Sequence, residues 1–70
     1  MSTNIPKIGD ILITTEKYFE INGDHAIYEV VYTDTVCFIM KKIMSTMPDR
    51  IGDEVIKPNN NWSTLYTNIS

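Results

Sequence analysis

Glu20-Ile21-Asn22-Gly23-Asp24-His25-Ala26-Ile27-Tyr28-Glu29-Val30-Val31-Tyr32-Thr33, residues 20–33, is the stretch on which the fold turns. Its second half is rich in β-branched and aromatic side chains, which suit a pleated, half-covered surface. Just before it stands Asn22-Gly23, a dipeptide that tolerates the positive φ of a type I′ hairpin turn. The reading that follows is a hairpin, with one strand over residues 10–20 and the next over residues 25–33. A two-residue loop sets Ile21 opposite Asp24, Glu20 opposite His25, Phe19 opposite Ala26 and Tyr18 opposite Ile27. The same register brings Glu16 against Glu29, a like-charge pair that sheets avoid, so a bulge or a longer connection is the alternative.

Working outward, a tight turn at Asp34 leads into residues 35–44, where Val36, Cys37, Phe38, Ile39 and Met40 form an unbroken apolar run. Such a run predicts a central strand covered on both faces. Apolar residues at 36, 39, 40, 43, 44 and 47 also match a helical stripe. β-Branching at 35, 36, 39 and 43 and the lack of a capping box favour the strand. Ser45-Thr46-Met47-Pro48-Asp49-Arg50 breaks the pattern, since Pro48 cannot donate to a ladder, and predicts a short 3₁₀ turn near residues 45–50. Two short strands follow, over residues 53–57 and 62–67, joined by Pro58-Asn59-Asn60-Asn61. Alternation on the last of them puts Trp62, Thr64 and Tyr66 on one face and Leu65 on the other. Either Leu65 faces the core and Trp62 and Tyr66 are exposed, or Trp62 plugs the core, which is the favoured reading because a small barrel needs its largest side chain.

Seventy residues suffice for one domain and not for two. The expected organisation is a single all-β domain over residues 1–70, with an N-terminal arm at 1–7 and a frayed end at 68–70. With 43% hydrophobic residues the chain has enough apolar material to fold. No stretch resembles a signal h-region or approaches the ~20 apolar residues of a membrane span. Cys37 is the single cysteine and cannot form an internal disulfide, which favours the cytoplasm. His25 is the single histidine, so no zinc-binding set exists. No cofactor is implied, because neither phosphate-binding glycine pattern occurs. The net charge is −3, unevenly spread: residues 1–40 carry −4 and residues 41–70 carry +1. A nucleic-acid binder normally shows a basic face, and the balance here is the reverse.

One motif recurs. Ile8-Gly9-Asp10-Ile11-Leu12-Ile13 and Ile51-Gly52-Asp53-Glu54-Val55-Ile56 share the pattern Ile-Gly-Asp-x-x-Ile, each a glycine turn leading into a strand. Gly-Asp followed by an apolar strand resembles the way strands begin in SH3-like small barrels, including the KOW and Tudor-type groups. That resemblance implies a five-stranded, partly open SH3-like barrel. The further glycines of a KOW motif are missing.

Catalysis needs a nucleophile beside a base or paired acids in a cleft, and no such set is visible, so the chain reads as a binder and not an enzyme. His25 reads as an exposed hairpin residue and Cys37 as a small buried hydrophobe. Glu16, Glu20, Asp24, Glu29 and Asp34 predict either a solvated hairpin face or an acidic patch that steers a basic protein surface. Tyr28 and Tyr32 join that candidate contact surface, since Tyr offers area with a polar handle. Tyr28, Val30 and Tyr32 line one face of the second strand and Ile27 and Val31 the other, which suggests that a partner or a second copy covers one of them. The expected function is docking on a larger protein to modulate or inhibit it. Free-standing, Ile- and Asn-rich acidic chains of this length look like accessory proteins that bacteriophages use against host machinery. Two alternatives stand beside it. One is a nucleic-acid-binding barrel, with Tyr28, Tyr32 and Trp62 stacking on bases while Lys41, Lys42, Arg50 and Lys57 meet phosphates. The other is a self-associating structural subunit.

Overall fold

The computed structural model describes residues 5–70. Five strands form one antiparallel sheet: β1 (Ile11–Thr14), β2 (Ala26–Thr33), β3 (Cys37–Ser45), β4 (Glu54–Pro58) and β5 (Tyr66–Asn68). Their order is β4-β3-β2-β1-β5, so consecutive strands are neighbours and the last returns to pair with the first. The sheet is open. One helix, α1 (Glu16–Asn22), joins β1 to β2, and 3₁₀ turns at Pro48–Arg50 and Trp62–Thr64 flank β4. The class is therefore mainly β, as the sequence predicts. Of the expected arm over residues 1–7, residues 1–4 lie outside the described range.

The predicted first hairpin is overturned. β1 stops at Thr14, and Thr15 takes extended dihedrals and caps the helix, its hydroxyl accepting from the Tyr18 N–H. Glu16 follows in the first turn, where an acid suits the helix dipole. Gly23, at φ 67°, ends the helix in the left-handed conformation, its N–H bonded to the Phe19 carbonyl. Asn22-Gly23 thus closes a helix, not a hairpin. The real register pairs Ile11 with Glu29, Leu12 with Tyr28 and Ile13 with Ile27, so Glu16 and Glu29 never meet across the sheet.

β2 and the 3₁₀ turn at Pro48–Arg50 lie where the sequence predicts them, and β3 is a strand and not the alternative helix. β3 is internal, but it is covered on one face alone: Phe38, Met40 and Lys42 are buried, while Val36 before it is 72% exposed. Trp62 belongs to a 3₁₀ turn and not to the last strand, which is only three residues long. It is nonetheless buried, edge-on to Phe38 at 5.7 Å.

The repeated motif makes the same structure twice. Asp10 N–H bonds the Lys7 carbonyl and Asp53 N–H bonds the Arg50 carbonyl, with Gly9 at φ 94° and Gly52 at φ 100°. Ile51, at φ −63° and ψ 131°, identifies the second as a type II turn. Each Gly-Asp pair then faces one residue of the neighbouring strand. Gly9 donates to Val30, which donates back to Asp10; Gly52 donates to Lys42, which donates back to Asp53. Two residues against one is a glycine bulge, which sets the strand's register as it starts.

The core lies on one side of the sheet, formed by Leu12, Ala26, Tyr28, Val30, Phe38, Met40 and Tyr66, and closed by Tyr18 from α1 and Trp62. Tyr18, Tyr28 and Tyr66 form a ring cluster with centroids 5.4 and 5.5 Å apart, and the Tyr18 and Tyr28 hydroxyls share a hydrogen bond of 3.1 Å. Burial, then that bond, pushes the Tyr28 phenol far up. Lys57 on edge strand β4 reaches across to the Tyr66 ring of the opposite edge, 5.5 Å from its centroid.

Candidate protein-binding surface

The acidic set does not gather into one patch. Asp24 is wholly buried. It follows the helix cap and turns inward onto the end of β3, where its carboxylate meets Lys42 Nζ at 3.0 Å and accepts from Ser45 Oγ, Thr46 Oγ and Thr46 N–H. Lys42 is itself buried, with its ammonium 5.5 Å from the Tyr28 ring centre. Burial works against the Asp24 carboxylate, but hydrogen bonds from Thr46, Lys42 and Ser45 outweigh it and hold its pKa at about 2. Asp24 and Tyr28, both interior, are withdrawn from the contact surface. The sequence reading missed this pair, because two charges 18 positions apart leave no linear signal and buried charges are rare.

Asp34 sits beyond the far end of β2 and is occupied by its own turn. Its carboxylate accepts from the Val36 and Cys37 N–H groups at 2.7 and 2.9 Å and from the Tyr32 hydroxyl at 2.9 Å. Those backbone bonds lower its pKa, and the same carboxylate raises that of Tyr32. Eight residues of β2, at ~3.4 Å each, separate this turn from the α1 end. Glu29 is exposed on the sheet face turned away from the core, opposite Lys41. Glu16 and Glu20 alone stay together, four apart on α1 and both exposed.

Around them α1 presents a surface that the hairpin reading could not show. Of its seven residues only Tyr18 is buried. Phe19 and Ile21 are exposed, and the Phe19 ring lies flat on His25, with centroids 4.5 Å apart and planes 8° apart. His25 is held in place by Thr46, whose hydroxyl accepts from its N–H and whose own N–H donates to its carbonyl. The result is a firm Phe19–His25 stack with Glu16 and Glu20 beside it, while Ile21, two positions on, lies on the far side of the exposed surface beyond Lys17. Thr15 N–H, bonded to the Leu65 carbonyl, and the Thr15 hydroxyl, bonded to the Thr64 carbonyl, tie the start of α1 to the second 3₁₀ turn. The signal for this element was present as Thr15-Glu16 at a helix start and Gly23 at its stop.

A shallow cleft of about 520 Å³ lies between Ile5, Lys7, Asp10, Asn68 and Ser70. Asp10 is its acid, and that carboxylate already accepts from the Lys7 N–H and the Asn68 amide, which lower its pKa. Among the described residues no group of His, Cys, Asp and Glu is arranged to hold a metal ion, and no helix is long and apolar enough to cross a membrane. No protein family, curated protein or solved structure matches this chain.

Proposed function

We propose that the protein is a small acidic binding module that docks on a larger protein through α1 and modulates its activity. The carrying observation is a helix that buries one residue and turns Phe19, Ile21, Glu16 and Glu20 to solvent, with Phe19 backed by His25. Aromatic and aliphatic side chains supply contact energy when desolvated, and the rim carboxylates speed encounter with a basic surface. The partner class that fits is a protein with an apolar socket bordered by Lys or Arg. An inhibitor of host machinery is one form such a module takes. The nucleic-acid reading is less supported: of its residues Tyr28 and Trp62 are core and Lys42 is buried in an ion pair, which leaves Tyr32 to stack beside exposed Lys41 and Arg50.

The experiment is affinity capture from a nuclease-treated bacterial lysate with the wild type and with a Glu16→Lys/Phe19→Ala/Glu20→Lys variant of unchanged circular dichroism. A stoichiometric protein retained by the wild type, with affinity lowered about tenfold or more in the variant, supports docking through α1. Equal retention by both removes it.

A further inference from the structure

The sheet face turned away from the core carries two apolar clusters separated by a charged row. The charged row crosses three strands as Glu29, Lys41 and Glu54, each opposite the next, with Ile11 beside Glu29 at its end. On one side lie Ile13, Ile27 and Met44; on the other lie Tyr32, Ile39 and Ile56. Register shifts in the β2–β3 ladder enlarge both clusters, leaving Ile43 unpaired beside Met44 and Val31 unpaired beside Tyr32. Met44 is 59% exposed, Ile56 67% and Tyr32 45%. Scattered surface hydrophobes need no explanation, but clusters on one face do.

The pattern itself shows what fits over this face. Across the line between β2 and β3, Ile27 stands opposite Met44, Glu29 opposite Lys41, and Tyr32 opposite Ile39. A half-turn about an axis along that line lays β2 of one copy over β3 of another. Ile27 then meets Met44, Tyr32 meets Ile39, and Glu29 meets Lys41, each contact occurring twice. Self-complementarity about a two-fold axis is what an isologous interface requires, and sheets stack ~10 Å apart with strands within about 30° of parallel. Glu54 falls over Ile11 at the rim, where a carboxylate keeps its water.

We infer that a second copy of this chain covers the outer face, related by a two-fold axis running along β2 and β3, with reciprocal Glu29–Lys41 bridges between copies. This uses none of the α1 residues assigned to partner docking. Four strands at ~4.8 Å spacing and about nine residues of ~3.4 Å span roughly 19 by 30 Å. That places the interface at the small end of specific ones, so the pair dissociates on dilution.

Sedimentation equilibrium from low micromolar to millimolar concentration tests it. The wild type is expected to be a reversible dimer, weakened about tenfold or more by either Glu29→Lys or Lys41→Glu. Mixing the two variants sets two lysines over two glutamates, and native mass spectrometry should then show the heterodimer well above either homodimer. A wild type monomeric at every concentration overturns the inference, as does a mixture with no excess of heterodimer. Where a reversal unfolds the chain, Met44→Glu replaces it, since that side chain is already largely exposed; a dimer that persists in that folded variant also overturns it.

Discussion

Asp24 holds a charge with no exposed surface, and its stability depends on Lys42 and Ser45 of β3 and on Thr46 just after it. Its folded pKa of about 2 lies below the ordinary 3.8, so its contribution is complete above about pH 4 and is lost as pH falls through 2. Linkage puts that contribution at about 2 kcal/mol. Asp10 and Asp34, also held below their ordinary value by backbone N–H bonds, act in the same direction. Urea denaturation at pH 7, 4 and 2 should show the loss between the last two. Asp24→Asn should cost roughly 3–5 kcal/mol at pH 7, because it strands the buried Lys42 ammonium. Asp24→Asn/Lys42→Met should recover most of that, since the charge is gone and the amide oxygen still accepts from Thr46. A single variant as stable as the wild type would show that Lys42 reaches water.

At the level of elements, α1 depends on its two ends. Gly23 sits at φ 67° with open space where a Cβ would stand, so a substitution there meets backbone strain and no clash. Gly23→Ala should cost about 1 kcal/mol and Gly23→Asn less, read as shifts in the denaturation midpoint. The helix also marks the limit of sequence reading. Asn-Gly serves an I′ turn and a helix stop equally well, and seven residues bearing one buried side chain carry too little periodicity to decide between them. The Glu16–Glu29 conflict was the sign that the hairpin was wrong. By contrast, β2, the 3₁₀ turn at Pro48 and both Gly-Asp strand starts were legible, because local backbone chemistry dictates them. Burial of Trp62, the favoured of two readings, agrees with the structure, but its place on a strand does not, since the positive φ of Asn61 that redirects the chain has no signature beyond an asparagine run. Of the candidate contact residues, Glu16 and Glu20 were found by composition alone. Phe19 and Ile21 were hidden by the strand assumption.

Over the whole molecule, the open sheet is held in its curl from within, by Trp62 against Phe38 and by Lys57 across Tyr66. Emptying the Trp62 site should cost about 3–5 kcal/mol, comparable to the entire stability of a domain this small. Trp62→Ala should therefore lose amide chemical-shift dispersion in NMR spectra, whereas Trp62→Phe keeps it. The curl has a further consequence at the two open edges. β5 offers three residues, and β4 ends in Pro58, which has no N–H, after Lys57 has turned its charge inward. Neither edge is a template on which another strand can grow. A chain with this much exposed isoleucine would otherwise be a candidate for fibres, but here its exposed apolar side chains are denied the hydrogen-bonding direction. Pairing across the outer face, as inferred above, would then close about its two-fold axis and leave no edge on which a polymer could grow.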